Sequence, residues 1–150
     1  MTSDPTPDLT LRHLYRHWWR DVLRYGDTDR QGHVNNAVFA TFCESGRTAL
    51  LCDPDRPMFA PGQNYVIARL ILDFRGEILW PGTVDIGTGV LSIGRSSVRL
   101  GQGLYVGDRC VATSEAVIVL TGEATRRATP FPDDIRRRLE ECAIDGSAGA

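Results

Sequence analysis

The sequence predicts an α+β fold, one long helix packed on an antiparallel sheet, and three observations point there. Helical spacing appears once at length, from Ala37 to Leu51. Four β-like runs follow it, separated by turn-forming residues rather than by further long helices. A single helix followed by a meander of strands argues for helix-on-sheet layering. The chain has 150 residues and a mass of 16.6 kDa, enough for one domain with a substantial core.

Taken in order, residues 1–16 read as a flexible N-terminal tail, 17–142 as the folded domain and 143–150 as a flexible C-terminal tail. The run from about His17 to Tyr25 is rich in Trp, Val, Leu and Tyr and reads as a first strand, with Trp19, Leu23 and Tyr25 on one parity. A polar loop follows, with Asn35 or Asn36 as N-cap of the long helix. In that helix Phe39, Cys43, Gly46 and Leu50 fall at i, i+4, i+7 and i+11. Glycine at position 46 costs about 1 kcal/mol relative to alanine, which close approach of helix to sheet would justify. Asp53 to Gly62 holds three prolines and reads as a loop. The later strands are Tyr65–Phe74, Thr83–Ser92, Ser97–Val106 and Arg109–Leu120, with Gly107-Asp108 as a glycine-first hairpin turn of type II′. A short charged helix, about Asp133 to Glu140, closes the domain.

Composition narrows the function. Seventeen basic against nineteen acidic residues leave a net charge of −2, no general footprint for nucleic acid. No apolar run approaches the roughly 20 residues of a membrane span, and the polar N-terminus is unlike a signal peptide. The four cysteines, Cys43, Cys52, Cys110 and Cys142, lack metal-site spacing and fit reduced thiols in a cytoplasmic protein.

The most informative stretch is Tyr25-Gly26-Asp27-Thr28-Asp29-Arg30-Gln31-Gly32-His33-Val34-Asn35-Asn36. A carboxylate just ahead of a helix N-terminus faces backbone N–H groups that polarise a carbonyl, an arrangement suited to hydrolysis of an activated acyl group. A calcium loop is excluded, because its twelfth position needs a bidentate Glu and holds Val38 here. A phosphotransferase of the Asp-x-Asp type needs a parallel α/β sheet, which this element order lacks. Asp and Asn also serve plain turns and caps, and that reading stays open from the loop alone.

The same stretch, followed by an aromatic-rich helix with Glu44 and Arg47, closely resembles the hotdog-fold acyl-CoA thioesterases. Among these it is most similar to the 4-hydroxybenzoyl-CoA thioesterase-like group. The resemblance continues through Leu72-Asp73-Phe74-Arg75, Trp80-Pro81-Gly82, Ile93-Gly94-Arg95-Ser96-Ser97 and Pro130-Phe131-Pro132, and covers about residues 17–140. It implies that Asp29 is the catalytic carboxylate, as nucleophile or as general base. It implies a backbone N–H near Asn36 or Ala37 as oxyanion donor, aided by the helix dipole. Asp27 and Gly32 hold the loop, and His33 orients it or touches substrate. Tyr65, Val66 and Ile67 resemble the strand that lines the acyl tunnel. Arg95, with Ser96 and Ser97, is the first candidate for the coenzyme A phosphates, and Arg126 with Arg127 the second. Glu44 is expected to pair with Arg47 at i+3. The Gly32-His33-Val34-Asn35-Asn36 form points to aliphatic acyl groups.

The resemblance further implies a homodimer or homotetramer with sites between subunits, and neither metal nor cofactor beyond the coenzyme A of the substrate. Two rivals remain. A hotdog hydratase usually pairs an Asp with a His five residues later, whereas His33 lies four after Asp29 and six after Asp27. A non-catalytic acyl-thioester or carrier-protein binding module is the other.

Overall fold

The computed structural model describes residues 5–144. They form β1 (His17–Val22), α1 (Asn36–Leu51), β2 (Gln63–Phe74), β3 (Thr83–Ile93), β4 (Ser97–Val106), β5 (Arg109–Gly122) and α2 (Asp133–Glu141), with 3-10 turns at Arg12–Leu14 and Tyr25–Asp27. The strands make one sheet in the order β1-β3-β4-β5-β2, antiparallel at every pairing. The expected α+β architecture is therefore present.

Local chemistry explains the boundaries. β1 stops at Val22 rather than Tyr25, because the Leu23 N–H donates to the Gly82 carbonyl and the Asp27 carboxylate accepts the Arg24 N–H. Those two bonds turn the chain into the loop. Asn35 caps α1, its side-chain oxygen accepting from the Ala37 N–H at 2.9 Å. The β4–β5 turn has Gly107 at φ +60°, as a glycine-first hairpin requires. Gly46 does lie against the sheet: a Cβ there would fall 2.5 Å from Ile86 Cγ2.

α1 crosses β1, β3 and β4 and reaches β2 less closely, with Phe39 meeting Phe74 at one end of that strand. Two apolar clusters fill the space beneath it. Phe39, Phe42, Ile86 and Leu104 belong to the first, near its N-terminus. Leu50, Leu100, Leu120, Phe131 and Leu139 belong to the second, which takes in α2. Between the clusters runs a polar row, His17, Thr88, Gln102 and Ser114, in register across β1, β3, β4 and β5. Gln102 Nε2 donates to the Cys43 carbonyl at 2.9 Å and to Thr88 Oγ1 at 3.0 Å. Burial pushes the Cys43 thiol up to about 11, so it stays protonated and is no nucleophile.

The outer face of the sheet corrects the expected N-terminal tail. Within residues 5–16, Leu9 and Tyr15 are buried. Gly87 pairs with Gly103 and Gly89 with Gly101 across β3 and β4. Tyr15 lies over the first pair and Leu9 over Gly101, so close that a Cβ on these glycines would come within 3 Å of the two side chains. Tyr105 Oη donates to the Thr10 carbonyl at 2.7 Å, and the Arg12 guanidinium stacks 4.5 Å from the Trp18 ring. The segment is a packed strap. At the other terminus the Ile144 N–H donates to the Val90 carbonyl, so order extends past residue 142, the expected domain end. The remainder of both expected tails, 1–4 and 145–150, lies outside the described residues. Among the described residues no helix is long and apolar enough to cross a membrane.

Candidate functional site

The Asp27–Asn36 loop is shaped by its own polar groups. Thr28 and Val34 pair across it, the Asp29 N–H donates to the His33 carbonyl at 2.7 Å, and Gly32 turns the tip at φ +83°. The Val34 N–H donates to the Ile78 carbonyl, which ties the loop to the connection between β2 and β3. These bonds place the loop directly ahead of α1.

The two carboxylates have different surroundings. Asp27 is 3% exposed and accepts from the Arg24 backbone N–H and guanidinium, at 2.9 Å to Oδ2 and 2.9 Å to Oδ1. Burial opposes its ionisation, but the Arg24 hydrogen bonds and charge outweigh that and hold its carboxyl below the ordinary value. Its backbone carbonyl also accepts the Asn35 N–H at 2.8 Å. Asp29 is exposed and makes no ion pair among the described residues. Its Oδ1 accepts from the Gln31 and His33 N–H groups at 2.8 and 3.2 Å, while Oδ2 has no partner among the described residues. One oxygen is oriented and the other is free.

Asp29, His33 and Asn36 line one cavity of about 320 Å³ together with Gln31, Phe39, Phe74 and Glu77. Phe39 and Phe74 meet edge to face, ring centres 5.1 Å apart, and give it an apolar side. His33 Nε2 lies 3.3 Å from Glu77 Oε2. The Ala37 N–H is taken by the Asn35 cap, whereas the Asn36 N–H has no acceptor among the described residues. Of the two expected oxyanion donors, Asn36 is the one left free. Sequence reasoning missed Gln31, Phe39, Phe74 and Glu77 as lining residues. Glu77 carries no local signal, because only the path of the β2–β3 connection brings it to His33.

The other expected residues lie elsewhere. Tyr65, Val66 and Ile67 line a second cavity of about 370 Å³ with Glu44, Arg47, Leu51 and Phe59. Along β2 this is nine residues from Phe74, about 30 Å at the rise of a strand. Arg95, Ser96 and Ser97 form the β3–β4 turn at that same distant end, where the Arg95 carbonyl accepts the Phe131 N–H and the Ser96 carbonyl the Leu120 N–H. One chain therefore does not bring these groups to Asp29. Glu44 and Arg47 form no ion pair, contrary to their spacing, because Arg47 turns inward while Glu44 stays exposed. No cluster of three or more His, Cys, Asp or Glu among the described residues is arranged to hold a metal ion.

Comparison with known proteins agrees with this geometry. A Pseudomonas aeruginosa protein superposes with a TM-score of 0.80 at 21% identity, over 89% of this chain and 96% of that one. A predicted thioesterase from Bacillus stearothermophilus matches at 0.73 and 28% identity, over 84% and 96%. A Thermus thermophilus thioesterase complexed with coenzyme A and Zn matches at 0.71 and 28% identity, over 83% and 98%. No curated protein sequence matches this chain. The architecture is that of the hotdog thioesterases. Residues 23–139 match the model of the thioesterase-like superfamily, and the chain belongs to that family.

Proposed function

We propose that the protein hydrolyses acyl-CoA thioesters, with Asp29 as the reacting carboxylate, in the manner of the 4-hydroxybenzoyl-CoA thioesterase-like group. The observation that carries this is the free Oδ2 of Asp29 sharing a cavity with Asn36, whose N–H is also free. As general base, Asp29 takes a proton from water while the water oxygen adds to the thioester carbonyl. The oxyanion is held by the Asn36 N–H and the positive end of α1. The C–S bond then breaks, and the thiolate receives the proton, giving free acid and coenzyme A. As nucleophile, Asp29 instead forms a mixed anhydride that water opens. A thiolate leaves readily, its ordinary pKa being about 8.5, so neither route needs a strong acid.

A pair of copies supplies what one chain lacks. β2 is an edge strand with Ile67, Leu70 and Phe74 exposed on one face, Val66 exposed on the other, and a free hydrogen-bonding edge among the described residues. Two β2 strands joined antiparallel set the Phe74 end of one beside the Tyr65 end of the other. The Asp29 cavity then meets the second copy's Tyr65–Ile67 cavity, which receives the acyl group. Arg95, Ser96 and Ser97 of the second copy approach from the same end to meet the coenzyme A phosphates. The Thermus relative complexed with coenzyme A supports this substrate class.

The test is thiol release from aliphatic and aromatic acyl-CoAs by wild type and Asp29→Asn. The substitution should lower kcat by about a hundredfold or more, in the range of lost general-base catalysis. Turnover unchanged by it removes Asp29 from the chemistry. No turnover on any acyl-CoA overturns the hydrolase reading in favour of a binding module. Label from 18O-water found in the Asp29 carboxylate after a single turnover identifies the nucleophilic route with water opening the anhydride at Asp29, since a general base acquires none.

A further inference from the structure

One charged group in the core has no role in this chemistry. Arg47 is 7% exposed, yet no carboxylate among the described residues lies within ion-pair distance of it. Its Nη1 is wholly buried without an acceptor. Burying an unpaired cation is strongly unfavourable, and such groups normally find an anion. Three more orphans, His17 Nδ1, Gln102 Oε1 and Ser114 Oγ, belong to the polar row beneath the same helix.

Arg47 also lines the cavity at the Tyr65 end of β2. Leu51, Phe59, Ile67 and Ile118 give it apolar walls, Thr48 and Asn64 add polar groups, and Arg47 is the one cation in its lining. The volume of about 370 Å³ equals that of roughly a dozen waters at about 30 Å³ each, room for a short acyl group. Glu44 borders the same cavity but is exposed and does not pair with Arg47.

We infer that Arg47 selects acyl groups whose far end is a carboxylate, so that the preferred substrates are mono-thioesters of dicarboxylic acids. The inference rests on the hydrolase reading above and names its substrate class. The apolar walls take the methylene stem, and the guanidinium takes the terminal carboxylate with charge-assisted hydrogen bonds. A neutral acyl group of equal length leaves the cation unpaired and binds less well.

The test pairs succinyl-, adipoyl- and suberoyl-CoA with butanoyl-, hexanoyl- and octanoyl-CoA, measured for wild type, Arg47→Met and Arg47→Lys. Wild type should favour at least one carboxylate-ended member over its neutral partner by tenfold or more in kcat/KM, the scale of one hydrogen bond to a charged group. In Arg47→Met that ratio should fall by tenfold or more, with part of it kept in Arg47→Lys. A wild type that favours the neutral members overturns the inference. So does an Arg47→Met variant that slows both members of a pair alike, which assigns the guanidinium to folding or to pairing of copies. If wild type hydrolyses none of the six, the melting temperature in adipate against hexanoate decides the site alone, and the hydrolase reading falls only when aromatic acyl-CoAs are refused as well. A rise specific to adipate and absent in Arg47→Met keeps the carboxylate site, and no such rise removes it.

Discussion

The two halves of the sheet are finished in different ways. Over β3 and β4 the chain completes its own structure: α1 covers one face, and the strap with Leu9 and Tyr15 fills the glycine-floored outer face. At β2 Val66, Ile67 and Leu70 stay exposed, and no strand among the described residues takes the outer hydrogen-bonding edge. The closed half has the packing of a stability element. The open half holds both cavities assigned to substrate, and its surface makes sense with a second copy in place. Under the proposed function, stability and catalysis are separated along one sheet.

Mutations on the two halves should divide accordingly; three test the division in descending order of effect on folding, and a fourth tests the loop that joins them. Tyr15→Ala removes a buried ring together with its hydrogen bond to the Leu9 carbonyl, and should cost about 3–5 kcal/mol, as for other buried aromatic truncations. Urea unfolding checks it, and a loss below about 1 kcal/mol would show the strap to be dispensable. Gly46→Ala forces a methyl against Ile86 and should cost about 1–3 kcal/mol in the same measurement, despite the better helix propensity of alanine.

The third change lies on the open half. Ile67→Lys replaces a half-exposed residue, so the unfolding free energy of a single chain should move by no more than about 0.5 kcal/mol. Sedimentation should instead show loss of the pair, with activity falling alongside. An unchanged assembly would place the interface elsewhere.

The fourth concerns pH. The native carboxyl of Asp27 lies below its unfolded value of roughly 3.9, so its contribution to stability is present above that pH. It is lost as pH falls through the lower native value. Asp27→Asn, neutral at every pH, should therefore have a lower urea midpoint than wild type at pH 6, with the gap closing below about pH 4. A gap that persists in acid would assign the effect to hydrogen-bond geometry instead of charge.

Much of the site was legible because its parts are neighbours in sequence. Asp29, His33 and Asn36 share a cavity since the loop and the helix start are contiguous, and the cap at Asn35 follows from residue type alone. The Gly46 contact was legible too, as a glycine at a core-facing helical position. The strap was not. A polar, proline-containing segment has no periodicity, and the glycines that receive it become a floor only when β3 and β4 register brings Gly87 to Gly103 and Gly89 to Gly101. Arg47 misled for a related reason: helical spacing offers Glu44 as its partner, but the inward turn of the side chain depends on what α1 faces.

By itself the sequence determined the α+β class, the order of elements, the α1 cap and the carboxylate loop, because spacing, turn residues and capping act over a few residues. Only the tertiary structure decided that Asp27 is buried against Arg24 while Asp29 keeps a free oxygen. It alone set Tyr65 and Arg95 at the end of the sheet away from Asp29, and left Arg47 buried with no carboxylate partner among the described residues. Those outcomes depend on strand order and on which faces meet, which are contacts between residues far apart in the chain.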